Sequence, residues 1–388
     1  MNFSDKDWMT CLGFPESLEH YLGSSAPPIY ETAPFYFKDY GSFAEAARHE
    51  RDFNFYWRGT NPTLAIAERM LAELEEGENC KCFASGMAAI AAALMSCLSA
   101  GDHAVLVGHV YESTVDLTAY LSKFGVSHTL VQSTTITEIK AAIRSNTRVL
   151  YLESPSSLLF RLVDLEAAAE LAKSRGITTI IDNTWATPLY QKPLRYGIDL
   201  VVHAGSKYLG GHNDLVAGAV IGSKKRIERL FYQEYELAGA CLGPFEAWLL
   251  IRSLRTLPLR MKAHEENGLK LASYLNNHPA VSAVHHPGLS SHPDYELGKK
   301  QMTGCSGLFG FELKTGGYEG ITAFINRLKH FRIGVSWGSY ESQIVSPNYG
   351  DNEVQLKSQG VPVSLIRLAA GVEPAELLIA DLEQALRQ

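Results

Sequence analysis

From residue 80 to residue 202, short apolar runs alternate with stretches of helical period, and this alternation restricts the fold more than any other feature of the chain. Residues 80–84 form a short apolar segment that leads into an alanine-rich helix ending near Leu98. Residues 103–107, 128–131, 149–152, 178–181 and 198–202 read as further buried strands, with helices expected over 113–124, 136–144 and 165–174. Strands separated by helices of this length pack as a mostly parallel sheet covered on both faces. Ligands of such sheets bind beyond the carboxyl ends of the strands. Ser85-Gly86, Tyr111, Glu153-Ser154-Pro155, Asp182-Asn183 and Lys207 should therefore surround one crevice.

The flanks read differently. Residues 1–55 mix aromatics with turn formers around Ala26-Pro27-Pro28-Ile29 and are expected to form an extended arm. Asn61-Pro62 is a helix start, Leu64, Ala67, Leu71 and Leu74 keep the helical period, and Gly77 is the expected stop. Near residue 250 the pattern changes to an α+β region that closes with a helix over 375–386. The expected organisation is an arm over 1–55, a larger domain over 56–250 and a smaller one over 251–388, since 388 residues exceed one compact core. A net charge of -7 offers no basic surface to nucleic acid or to an anionic membrane. Asp5, Asp7 and Glu16 stand among few apolar residues, which argues against a secretory leader, and no apolar run is long enough for a bilayer. A cytoplasmic protein is expected.

Six cysteines in a chain of this length make no disulfide framework, and the Cys80–Cys82 spacing suits neither a redox pair nor a zinc knuckle. His264-Glu265-Glu266-Asn267 lacks the second histidine of a zinc-protease helix. His285, His286 and His292 fall in a Pro/Gly-rich stretch and read as solvated loop histidines. No metal site is expected.

The stretch Val201 to His212 contains the most telling side chain. Lys207 follows a buried strand at once, among small residues that let backbone and ligand approach. Desolvation there lowers an amine's pKa and frees its lone pair for attack on a carbonyl. Taken alone, Lys207 is equally a surface lysine after a strand. Asp182, at the end of another strand, needs a cationic or hydrogen-bonding partner, or else is a helix N-cap. Ser85-Gly86-Met87 turns from strand to helix, where free N–H groups and the helix dipole favour a phosphate, although such turns are common. Arg367 unaided reads as an ordinary strand arginine. Together, the anion corner, the acid and the lysine are what the phosphate, ring nitrogen and aldehyde of pyridoxal phosphate require at fixed separations. Tyr111 could stack on the ring.

Tyr56-Trp57-Arg58, Ser85-Gly86-Met87-Ala88-Ala89, Tyr111-Glu112, Glu153-Ser154-Pro155, Asp182-Asn183-Thr184-Trp185 and Ser206-Lys207-Tyr208-Leu209 occur in an order that resembles the Cys/Met-metabolism family of fold-type I pyridoxal-phosphate enzymes. Ser306-Gly307-Leu308-Phe309, Ser336-Trp337-Gly338-Ser339-Tyr340-Glu341-Ser342 and Leu365-Ile366-Arg367-Leu368 extend the match toward the C-terminus. The resemblance implies a mostly parallel central sheet wrapped by helices, with a smaller α+β C-terminal domain and an N-terminal arm. It implies that Lys207 holds the coenzyme covalently and serves as base, and that Asp182 keeps the ring protonated. Tyr111 would stack and assist proton transfer. Ser85, Gly86, Met87 and Ser206 would bind the phosphate, joined by Tyr56 and Arg58 from a neighbouring subunit. Arg367 would clamp the substrate carboxylate, with Ser336, Trp337 and Tyr56 lining the substrate pocket. The implied assembly is a homotetramer, a dimer of dimers with shared active sites.

Within the family the chain is most similar to the cystathionine β-lyases. Other branches usually read Ser-Pro-Thr-Asn-Pro where this chain has Ser154-Pro155-Ser156-Ser157-Leu158, and they carry leucine at the place of Trp337. Val335 stands where γ-lyases often have glutamate. Two departures concern the cofactor: Gly59 comes one place early in the Tyr-x-Arg loop, and Ala204 replaces a serine that often contacts the phosphate. The implied reaction is α,β-elimination of L-cystathionine to homocysteine, pyruvate and ammonia, as in methionine biosynthesis. The alternatives are a γ-acting relative (cystathionine γ-synthase, cystathionine γ-lyase or methionine γ-lyase) and a non-catalytic binder of the coenzyme.

Overall fold

The computed structural model describes residues 3–13, 21–315 and 317–387. Residues 14–20 of the expected arm, Glu16 among them, lie outside the described residues. Seven strands form the larger sheet: β1 (Asn79–Phe83), β2 (His103–Val107), β3 (Ser127–Val131), β4 (Thr147–Glu153), β5 (Thr178–Asp182), β6 (Leu200–Ala204) and β7 (Gly218–Gly222). Their order is β1-β7-β6-β5-β4-β2-β3. Strands β2 to β6 run parallel, as the alternation implies. The β7 strand is antiparallel to both β6 and β1.

Both faces of this sheet are buried, which is why its strands read as unbroken apolar runs rather than alternating ones. Val105, Leu150, Leu152, Ile181 and Val201 point to one side, where Leu64, Ala67, Leu71 and Leu74 of the Pro62–Glu75 helix belong to the same core. Ala104, Leu106, Val149, Tyr151, Ile180 and Val202 point to the other, against Ala89, Ile90, Ala93 and Leu94 of the Gly86–Met95 helix. Burying each large aliphatic side chain contributes about 1.5–3 kcal/mol, so the sheet and its two helical covers are one cooperative slab.

A second sheet comprises β8 (Val281–His285), β9 (Leu308–Leu313), β10 (Arg332–Ile333), β11 (Gln343–Val345) and β12 (Leu365–Ala369), in the order β10-β11-β12-β9-β8. The long Leu257–Asn276 helix and the closing Ala375–Leu386 helix pack on it. The result is a mostly parallel sheet wrapped by helices with a smaller α+β unit after it. No helix among the described residues is long and apolar enough to cross a membrane.

Several local expectations change. The stretch read as an extended arm contains helices at Asp5–Leu12 and Tyr40–Arg48. Each starts at a side-chain cap: Ser4 accepts from the Asp7 N–H at 3.0 Å, and Asp39 from the Ser42 N–H at 2.7 Å. Asn61 caps the next helix through the Thr63 N–H at 2.9 Å, but Glu76 rather than Gly77 takes the left-handed turn at its end, with φ 59. Gly77 is needed for a different reason: a Cβ there would run into Ile221 of β7. The largest correction concerns the histidines. His286 is 0% exposed and His292 only 3%, so neither is a solvated loop residue. The Nδ1 of His286 accepts from the Gly288 N–H at 2.9 Å, and that of His292 from the Asp294 N–H at 3.2 Å. These turns satisfy one nitrogen of each ring from within, the Nε2 of each stays buried without a partner, and burial pushes both down to about 4. His285 lies on β8 and bonds Glu312 at 2.7 Å.

Candidate active site

The carboxyl ends of β4, β5 and β6 stand side by side, with Glu153 opposite Asp182 and Asp182 opposite Val202. Lys207 follows β6 in a turn closed by hydrogen bonds from the Gly210 and Gly211 N–H groups, at 2.8 Å each, to the Gly205 and Lys207 carbonyls. Small residues are required here because the turn folds back on itself. A Cβ on Gly210 would lie 2.8 Å from the Gly205 carbonyl oxygen.

The Lys207 amine donates to Ser336 Oγ at 3.0 Å and lies 5.4 Å from the Trp337 ring centroid. Burial, with Arg367 as a second positive charge nearby, pushes it down to about 8, against the pull of Asp182. Trp337 is itself fixed edge-on against Tyr208, ring centroids 5.4 Å apart. Gly338, at φ +84, permits this contact, since a Cβ there would stand 2.7 Å from the Tyr208 nitrogen.

Asp182 is held by Thr184. Its Oδ1 accepts from the Thr184 N–H at 2.9 Å and, in a short bond, from the Thr184 hydroxyl. Thr184 Oγ1 in turn accepts from the Ala204 N–H of β6 at 2.8 Å. Burial pushes the Asp182 carboxyl up, while the Thr184 bonds, His203 and Lys207 pull it down. Such a carboxyl gains most from a cation placed against it.

Ser85 caps the Gly86–Met95 helix, its Oγ accepting from the Ala88 N–H at 3.1 Å. The Gly86 and Met87 N–H groups, at the first turn, have no carbonyl partner within the helix and point out of its positive end. Gly86 lets the helix start close on β6: a Cβ would meet that of Ala204 at 2.8 Å. On the second sheet, Arg367 of β12 donates through Nη2 to the Val335 carbonyl at 2.6 Å, and burial lowers its pKa. Tyr111, 50% exposed, immediately precedes the Glu112–Leu121 helix and donates its N–H to Glu153 Oε2 at 2.7 Å.

Lys207, Ser336, Trp337, Asp182 and Arg367 are thus linked by contact or by field, and Ser206 sits in the lysine turn. Tyr56 and Arg58 are not joined to them within this chain. Arg58 instead donates to Glu236 at 3.1 Å and lies over the Tyr56 ring at 5.5 Å. Three participants escaped the sequence reading of roles: Thr184, Glu153 and Ser157. All three stand within stretches named above, and only their packing assigns them partners.

A desolvated lysine, a buried acid on the neighbouring strand and a helix start, all on one mostly parallel sheet, suit a fold-type I pyridoxal-phosphate site. The fit rests on the donor set: first-turn N–H groups for a phosphate, a buried carboxyl that a cation would favour and an amine whose pKa is lowered by burial. The family model described as Cys/Met metabolism PLP-dependent enzyme matches residues 14–387. The chain is 40% identical to an L-methionine gamma-lyase of Fusobacterium nucleatum, over 96% of each. It is 40% identical to a cystathionine gamma-lyase of Bacillus subtilis, over 85% of this chain and 88% of the other. It is 37% identical to a cystathionine beta-lyase of Lactococcus lactis, over 96% of each. The crystal structure of metB from Corynebacterium glutamicum superposes with a TM-score of 0.90 at 33% identity, covering 100% of this chain and 98% of that one. The chain belongs to the Cys/Met metabolism family of pyridoxal-phosphate-dependent enzymes, and its cofactor is pyridoxal 5′-phosphate.

Proposed function

We propose that the enzyme is a carbon–sulfur β-lyase that cleaves L-cystathionine to homocysteine, pyruvate and ammonia. Bound pyridoxal phosphate supplies an aldehyde that condenses with amines and a ring that withdraws electrons from Cα. The chain's own groups do the rest. The Gly86 and Met87 N–H groups and the Ser85 and Ser206 hydroxyls hold the phosphate. Asp182 faces the ring nitrogen and keeps it protonated. Tyr111 covers the ring. Arg367 grips the substrate carboxylate and so turns the Cα–H bond toward Lys207. Burial lowers the Lys207 amine to about 8, so more of it is unprotonated at neutral pH than of a solvent lysine, and in that form it removes the Cα proton. The thiolate leaves from Cβ, and water completes the release of pyruvate and ammonia.

The observation that carries β-elimination is the Ser336-Trp337 pair against the Lys207 amine, at 3.0 Å and 5.4 Å. γ-Elimination needs a second proton taken from Cβ, and Val335 beside this pair, 80% exposed, adds no second base to Lys207 for that step. A γ-acting enzyme is the second reading, favoured by relatives named γ-lyases at 40% identity. Product analysis after incubation with L-cystathionine decides: homocysteine with pyruvate supports the proposal, and cysteine with 2-oxobutyrate overturns it.

The proposal includes the assembly. Arg58, held by Glu236 rather than by its own chain's site, and Tyr56 beneath its guanidinium fit a role in a neighbouring subunit of a cytoplasmic homotetramer built from two dimers. Mixing inactive K207A and R58A subunits should restore part of the activity, because one shared site then receives both native residues.

A further inference from the structure

Glu153 takes no part in the chemistry above, yet it is the carboxyl nearest to Asp182 along the strand ends, directly opposite it in register. Its two oxygens are divided. Oε2 accepts the Tyr111 N–H at 2.7 Å, and Oε1 pairs with the Ser157 hydroxyl at 2.5 Å. We propose that Glu153, braced by Ser157, is the positioning residue for Tyr111, fixing the backbone from which the phenol reaches over the coenzyme. The inference rests on the reading that Tyr111 covers the ring.

Three observations point the same way. Tyr111 has little else to hold it: no side-chain cap bond is made at the start of its helix, and its phenol is half exposed. Its backbone N–H is therefore its link to the sheet. Second, a carboxyl in this place is costly, because burial and the neighbouring Asp182 push Glu153 up to about 8. Tyr151 of β4, Asp182 of β5 and Arg367 of β12 are the titratable or charged groups that face it. Both acids receive hydrogen-bond donors that offset this cost. Thr184 gives Asp182 two donors, which favour the carboxylate. Glu153 accepts at both oxygens, from the Tyr111 N–H and from the Ser157 hydroxyl, and these donors pull its carboxyl down against burial and Asp182. Third, the loop that presents Ser157 is strained. Leu158 and Phe160 adopt φ 68 and 52, left-handed values that bulky side chains rarely take. Such strain persists where surrounding bonds over-determine it. Here the Ser156 N–H donates to the Arg161 carbonyl at 2.8 Å and the Arg161 N–H to Ser156 Oγ at 3.1 Å.

The test uses the holoenzyme and its E153Q, E153A and S157A variants. Amide hydrogen exchange in a peptide spanning 108–113 reads the Tyr111 N–H, and circular dichroism in the visible coenzyme band reads the seating of the ring. Neither needs turnover, so both stand whether or not the β-lyase proposal does. E153Q offers an oxygen to Tyr111 and an N–H to Ser157, and should keep exchange, dichroism and kcat within about threefold of wild type. E153A should exchange about tenfold faster at Tyr111, weaken the coenzyme band and lower kcat about tenfold with little change in KM, the effect of losing one buried hydrogen bond. S157A should raise exchange about threefold. The proposal is overturned if E153A leaves the Tyr111 amide protected, or if E153Q is as damaged as E153A, which would make charge the operative property. If E153A does not fold, S157A decides: unchanged exchange overturns the proposal.

Discussion

Adding one methyl group at Gly86 tests whether the helix start is the coenzyme's phosphate site. A Cβ there would lie 2.8 Å from Ala204 Cβ and 3.1 Å from Ala204 Cα. Carbon atoms rest at about 3.5–4.0 Å, so G86A places the methyl about 0.7 Å inside contact. Ala204 cannot retreat, because β6 is hydrogen-bonded between β5 and β7 and its N–H is tied to Thr184. The helix start must therefore lift, taking the Gly86 and Met87 N–H groups with it. Overpacking of this kind costs about 1–3 kcal/mol. If that cost falls on the coenzyme-bound geometry, affinity drops about 5–150-fold, at 1.4 kcal/mol per factor of ten. Apo-protein titrated with pyridoxal 5′-phosphate, followed by visible absorbance, gives the dissociation constant. The double variant G86A/A204G removes the nearer contact and should recover most of the loss. Unchanged affinity in G86A would refute both the phosphate assignment and the rigidity assigned to β6.

Other outcomes follow from the same geometry. Borohydride reduction should fix coenzyme to the peptide containing Lys207 and to no other, and K207A should retain none; peptide mass analysis checks this. R367A should raise KM for amino-acid substrates about 10–100-fold with a smaller change in kcat, as expected for one charge-assisted carboxylate contact, read from initial rates. Acid stability should track the buried histidines. His264, His286 and His292 have pKa values lowered to about 4 in the fold, so below about 6.5 the unfolded chain binds more protons. Stability is thus full above that pH and falls as pH drops toward 4, and H286Q should lose less stability over this window than wild type in urea titrations.

The sequence was most legible where physics is local. Alternating apolar runs identify β2 to β6 and their parallel sense, because strands buried on both faces have to be continuously apolar and their crossovers helical. The β7 strand escaped because nothing in Gly218–Gly222 announces an antiparallel partner; its direction comes from β1 closing the edge. His286 and His292 were misread for a related reason. Proline and glycine neighbours signal a turn, but burial comes from packing across the fold, as where Phe309 sets its ring centroid 5.5 Å from that of His286. At the site, Lys207, Asp182 and the Ser85-Gly86 corner were readable as strand ends and a helix start. The grip of Thr184 on Asp182 and the link from Glu153 to Tyr111 cross between elements, so spacing alone carries no trace of them.

Thr184 joins β5 to β6 through a single hydroxyl, which ties the acid and the turn bearing the lysine to the same backbone hydrogen-bond lattice. The span between those two groups is consequently set like the gap of a caliper whose jaws are cut from one plate. Arg367 rides on the other plate. Any hinge between the sheets would change how firmly a substrate is gripped and leave the calibration between acid and amine untouched.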